Sequence, residues 1–224
     1  MLTSEMVTTR ARTGDTPTPL SGEVFGALIN LSGRRRFTSQ RLALFAMMAA
    51  QGDQQAIPVA REALTLFRNA HAVLVHGDQK LPGIFCPELH DAYFGPLAGD
   101  RKILQFIELA ERTLHAIEQG KADAPAMLQQ LARDVTPILD VLNQITTVYE
   151  EQAKRHAMLM RKQLRGIITD IEAFAKQAKM VAFNARVVAA RAGHAGKEFA
   201  VVAGVLSSIT TEIDDMVRIA LNAA

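Results

Sequence analysis

The sequence predicts an all-α protein: an N-terminal four-helix bundle whose last helix runs on into a long antiparallel coiled-coil hairpin. Three observations predict it. Aromatic residues make up only 5% of the chain and tryptophan is absent, which favours helix packing over strands. No stretch alternates apolar and polar residues as a half-buried strand does. One segment of about seventy residues has no break beyond Pro137 and Gly166, enough for a helix of roughly 100 Å.

The elements follow in order. Residues 1–20 are rich in Thr, Pro and Gly and predict a disordered tail. Ser21 is placed to cap a first helix that reaches about Gln51, where "QGDQQ" ends it. A second helix spans about Gln55 to His76, and "GDQKLPGIFCP" is a loop by its Gly and Pro content. A third runs from Glu88 to Gln119, disturbed at "FGPLAGD", where Pro96 removes a backbone donor. After the turn "QGKADAP", the long helix extends from about Pro125 to Ala192, and a last one starts at Lys197. The domains expected are a tail over 1–20, a helical bundle over 21–140 and a hairpin over 141–224.

The fold-back is visible in two ladders of apolar residues. On the returning helix Phe199, Val202, Leu206, Ile209, Ile213, Met216 and Ala220 recur at spacings of three and four, as in a heptad seam. Ile168, Ile171, Ala175, Ala178, Ala182, Ala185 and Ala189 do so on the outgoing helix. The ladders mirror each other about residue 194, between Gly193 and Gly196. Glycine tolerates the left-handed conformation that a helix reversal needs. A second stripe, Ile167, Phe174, Val181 and Val188, repeats every seven residues beside the first. An apolar stripe on an outer face needs a cover. A parallel homodimer, giving four helices from two hairpins, supplies one; contact with the N-terminal bundle is the alternative.

Composition excludes several function classes. The formal net charge of +2, with no basic block interleaved with aromatics, gives no footprint for nucleic acid. No window approaches the roughly 18 apolar residues of a membrane span, and residues 1–20 lack the apolar core of a signal peptide. The single cysteine suits a reducing compartment, so the chain reads as cytoplasmic and not inserted in a membrane. His71, His76, Cys86 and His90 fit no strong zinc spacing, so no metal or other cofactor is expected. Glu111, Glu150 and Glu151 sit in ordinary amphipathic charge patterns, and Met47, Met48, Met158 and Met160 in core or seam positions. No catalytic constellation stands out, and no enzyme is expected.

At the predicted bend the wording is specific. "AFNARVVAARAGHAGKEFAVVAGVL", 182–206, resembles the cytoplasmic signalling tip of bacterial chemoreceptors, the methyl-accepting chemotaxis proteins. Asn184, the run from Ala189 to Gly193, Gly196 and "FAVVA" from Phe199 to Ala203 carry the likeness. The resemblance implies a tip that binds a histidine autokinase and a small coupling protein, with dimers joining into trimers. Carried over position by position, Phe183, Asn184 and Val201 fall on the coupling surface, Met180 lies one turn earlier, and Arg191 is a charged contact near the turn. Val188 and Val205 stand where the family has acids, His194 replaces another, Glu198 replaces a glycine and Ser207 an arginine. These departures put trimer contacts and kinase control in doubt. The returning arm covers about 27 residues after the turn, roughly 40 Å, short of the family's methylation sites.

The first helix carries a second likeness. "INLSGRRRFTSQRLA", 29–43, resembles the opening motif of the sensor domain of type IV pilus chemotaxis transducers, a box also found in nitrate/nitrite sensor domains of certain histidine kinases. "REALTLFRNAHAVLVHGDQKLP" continues the pattern. At 100° per residue, Arg36 shares a helix face with Ile29, Ala43 and Met47, with Gln40 beside it. An arginine on an apolar face is costly unless compensated, and its planar paired donors suit an oxyanion. The resemblance implies that Arg36 reads nitrate; pairing with a Glu or Asp of a neighbouring helix is the alternative. Arg34, Arg35 and Arg41 are expected to be solvated or paired with acids. The sequence thus points to a chemoreceptor-like transducer that passes a ligand or partner signal to a coupling protein and histidine kinase. Two alternatives stand beside it: a non-signalling protein that dimerises or inserts into assemblies of other chemoreceptors, and a plain anion sensor with some other output.

Overall fold

The computed structural model describes residues 20–223, and side chains through Ala220. The tail expected over 1–20 lies, except for Leu20, outside the described residues. Six helices follow one another: α1 Gly22–Ala50, α2 Ala56–His76, α3 Pro87–Phe94, α4 Gly99–Glu118, α5 Ala124–Arg191 and α6 Lys197–Ala223. Among the described residues there is no strand. The chain divides into two compact units, one ending at Ala153 and the other starting at Lys154.

In the first unit, the hydroxyl of Ser21 accepts from the Val24 amide and caps α1 at the expected place. Helix α2 ends at Gly77, whose φ of +79° suits glycine. In the loop beyond, the Asp78 carboxylate accepts from the backbone of Lys80 and Leu81, both at 2.7 Å. Those bonds hold its pKa below the ordinary value. The segment expected as one disturbed helix over 88–119 is two. Proline at 96 has no amide to donate, and Ala98 takes a left-handed φ of +49° before α4 begins, so the break is complete. Leu28, Leu42, Phe67, Leu74, Ile103, Leu114, Leu142 and Ile145 form the core, with the Phe67 and Phe106 rings 5.6 Å apart. Arg61 pairs with Glu118 and Arg68 with Glu111 along the outer edges of α2 and α4. Such exposed pairs contribute little.

In the second unit, α5 and α6 are joined by a short 3-10 turn, Gly193–Gly196. Gly193 adopts φ +58°, which a β-carbon disfavours. Gly196 is buried, and a Cβ there would run into the Ala189 carbonyl, so the turn needs glycine for space as well. Ile168, Ala175, Ala182 and Ala189 form the buried line of α5, on the expected ladder.

On α6 the expected ladder is kept at Leu206, Ile213 and Ala220, which are half-buried, and the rest of the seam is displaced. Ala203, Thr210 and Val217 are buried, one residue after Val202, Ile209 and Met216, which lie outside it. Phe199 is also exposed. On the α5 side the buried line is mostly alanine, and the α6 residues that face it are Ala203, Thr210 and Val217. The buried lines of the two arms mirror each other about the peptide joining Ala192 to Gly193.

The displacement has a consequence for the surface. Val202, Ile209 and Met216 precede the buried line of α6 by one residue, as Ile167, Phe174, Val181 and Val188 precede that of α5. In two antiparallel helices, a 100° step back from the seam turns both arms toward the same flank. All seven side chains are exposed, so one flank of the hairpin is apolar along both arms.

Candidate functional site

The hairpin tip places its sequence-predicted residues on its surface. Met180, Phe183, Asn184, Arg191 and Val201 are all exposed, with Phe183 at 66% and Val201 at 67%. Met180, Phe183 and Asn184 line one shallow concavity on α5 with Lys176 and Lys179, while Arg191 and Val201 do not line it. Lys179 also lies 3.7 Å from Asp214 across the arms. A helical tip with protruding Phe, Met and Val side chains beside a lysine edge can bind a partner through apolar contact.

In the bundle, Arg36 is half-buried and Gln40 is exposed. The Arg36 guanidinium donates to the Asn143 amide oxygen at 3.0 Å, so its partner is neutral rather than the acid considered from sequence. It lies over Gly33, where an added Cβ would come within 3.3 Å of it. Phe37, Gln40, Leu44 and Met47 are exposed on the same helix.

The arginine that enters the core is its neighbour. Arg35 is fully buried, which corrects the expectation that it is solvated or paired with an acid. Its Nη2 donates to Ser32 Oγ at 3.0 Å, its Nη1 lies 3.4 Å from His71 Nδ1, and its guanidinium stands 5.8 Å from the Tyr93 ring centroid. His71 Nε2 is in turn 3.0 Å from Asp100 Oδ1. An arginine can only donate, so Nδ1 accepts and Nε2 carries the hydrogen given to Asp100. The contact to Asp100 is therefore a hydrogen bond from a neutral ring. Burial, and then the Arg35 charge, push the His71 pKa from 6.5 down to about 4, against the pull of Asp100. Ser32 continues the chain to Thr146, 2.9 Å away on α5.

This network was not foreseen. The buried line of α1 runs Phe25, Leu28, Ser32, Arg35, Ser39, Leu42 and Ala46, an unbroken three-and-four spacing. Extending Phe25, Leu28, Leu42 and Ala46 through the polar residues between them would have located Arg35. His71, considered from sequence as a zinc ligand, is engaged by Arg35 and Asp100 instead.

Comparison with known families fits both units. Residues 122–218 match the model of the methyl-accepting chemotaxis protein (MCP) signalling domain. Residues 23–93 match that of the type IV pili methyl-accepting chemotaxis transducer N-term. Both matches are to chemotaxis-transducer domains. No curated protein and no solved structure matches the chain. The signalling-domain match spans the hairpin with its exposed tip, and the transducer match covers α1, α2 and α3, including Arg35, Arg36 and His71. Among the described residues, no helix is long and apolar enough to cross a membrane.

Proposed function

We propose that this chain is a cytoplasmic chemoreceptor-like transducer. A helical sensor region (21–140) receives a small ligand or partner, and a signalling hairpin (141–224) passes the change to a chemotaxis coupling protein and histidine kinase. The observation that carries this reading is the exposed tip set Met180, Phe183, Asn184 and Val201 within a segment that matches a signalling domain. The seven-residue apolar flank supports a parallel homodimer of hairpins, in which a ligand shifts helix packing by binding one arrangement better than another.

A pull-down with the coupling protein tests the output. Wild type should be retained, and Phe183→Glu should lose retention roughly tenfold or more. Because Phe183 is exposed, helix content should not change. No retention of wild type overturns the reading. A second reading rests on Val188 and Val205, which replace the family's acids: the chain then joins receptor assemblies without controlling the kinase. Retention with unchanged kinase phosphorylation supports it.

For the stimulus we propose a small oxyanion such as nitrate at Arg36, with Gln40 one turn on. The neutral partner of Arg36 leaves its charge without a touching carboxylate, and two copies meeting at a dimer axis would hold an anion between them. Calorimetry with nitrate should give heat with wild type and none with Arg36→Ala. Silence from wild type removes nitrate as the stimulus.

A further inference from the structure

We propose that the Arg35–His71–Asp100 relay is a proton-operated latch of the helical bundle. One proton taken from solvent at His71 Nδ1 breaks the contact with Arg35 and loosens α1 from α2. This goes beyond the transducer reading, because it concerns the bundle's own response to acid whatever the hairpin binds.

The relay joins four helices: Asp100 of α4, His71 of α2, Arg35 and Ser32 of α1, and Thr146 of α5. The direction of every bond is fixed. Thr146 gives its hydrogen to the Leu142 carbonyl at 2.7 Å, so it accepts from Ser32, which accepts from Arg35. Arg35 thus donates toward both ends of the chain. Of the relay's nitrogens and hydroxyls only His71 Nδ1 can take up a proton at moderate pH, and once protonated it turns an N–H toward the N–H of Arg35. An attraction becomes a repulsion between two buried cations.

The groups facing His71 set the threshold. Arg35 on α1 opposes the proton, as does the charge of His76 on the same helix. Asp100 on α4 favours it, and the ring of Tyr93 of α3 stands 6.0 Å away. Tyr149 of α5 stands behind Tyr93, with the two hydroxyls 3.5 Å apart. Burial raises the Tyr149 pKa, so it stays protonated. The Asp100 end of the relay meets the surface, since Asp100 and Tyr93 line a concavity between α3 and α4 with Pro96 and Ala98. The sign agrees with the depressed His71 pKa: the latch is closed above the unfolded value of 6.5 and opens as pH falls toward about 4.

The chain carries its own reporter. It has two tyrosines and no tryptophan, and both Tyr93 and Tyr149 are fully buried beside the relay. Titrating the full chain from neutral pH to about 3.5, a range set to cover the His71 transition, should change tyrosine near-ultraviolet dichroism and emission in one step. The midpoint should lie well below that of an ordinary histidine, with the helical far-ultraviolet signal retained. His71→Gln, which offers a donor and an acceptor but takes no proton, should abolish the step. Asp100→Asn should push the step to the acid end of that range or beyond it, because it removes the charge that favours the proton. A tyrosine signal that stays flat until the helices melt overturns the latch, as does a step that persists in His71→Gln. If His71→Gln fails to fold, an unmoved midpoint in Asp100→Asn overturns it equally.

Discussion

Arg35→Ala is expected to destabilise the helical bundle by about 3–5 kcal/mol, and Arg35→Met by clearly less. Alanine opens a cavity in the middle of the core, since the whole Arg35 side chain is buried. It also strands His71 Nδ1, which loses the donor it faces, and leaves Ser32 Oγ with its bond to Thr146 alone. Methionine restores most of the volume with a flexible apolar chain and removes a charge that was costly to bury. Asp100 stays tolerable in either variant, because it still accepts from His71 and its side chain is 22% exposed. Thermal unfolding followed by helical dichroism reads the order wild type, Met, Ala. At roughly 2–4 °C per kcal/mol for a domain of this size, the alanine variant should melt about 10 °C lower. Equal losses for the two variants would show that volume plays no part. No loss in alanine would refute the buried network altogether.

Why periodicity reached the fold but missed this residue is a physical matter. Helix ends marked by local chemistry were legible: Ser21 caps α1, Gly77 follows α2, and the glycines at 193 and 196 reverse the chain. Those signals act within a few residues and need no tertiary context. The face a helix buries was harder. On α1 the interior line passes through Ser32, Arg35 and Ser39, and on α6 through Ala203 and Thr210. On α6 Val202, Ile209 and Met216 lie one position from the buried line while Leu206, Ile213 and Ala220 stay half-buried as expected, and on α1 the apolar Ile29 and Met47 lie one position from the buried Leu28 and Ala46. The misplacement put Arg36 on the core face in place of Arg35, and Val202, Ile209 and Met216 in the seam in place of Ala203, Thr210 and Val217. In the second case the buried line follows the register that sets Ala203, Thr210 and Val217 opposite Ala182, Ala175 and Ile168. Hydrogen bonding decides the first, because Arg35 finds Ser32 and His71 inside. The tip residues Met180, Phe183, Asn184, Arg191 and Val201 came from resemblance; burial patterns alone place them on the outside without giving them a partner.

The displaced seam also enlarges what must be covered, which sets the strongest test of association. Phe174→Glu together with Val181→Glu is expected to convert the proposed homodimer to monomers. Phe174 is 69% exposed and Val181 61%, beside Val202, Ile209 and Met216 on the same flank. Burying a phenylalanine is worth about 1.5–3 kcal/mol, and two-fold symmetry counts each substitution twice. Phe174 alone therefore carries about 3–6 kcal/mol, or roughly two to four orders of magnitude in the dissociation constant. The two glutamates add four carboxylates to one apolar interface, which cannot keep them charged without partners. Met180→Glu is the matched control: its side chain is 62% exposed on the same helix but falls two residues before the buried Ala182, away from the flank. Light scattering at micromolar concentration should show the wild-type mass halved in the double variant and unchanged in Met180→Glu, with helix content equal in all three. A wild-type chain already at monomer mass, or a double variant that keeps the dimer mass, would mean that the flank does not recruit a second copy.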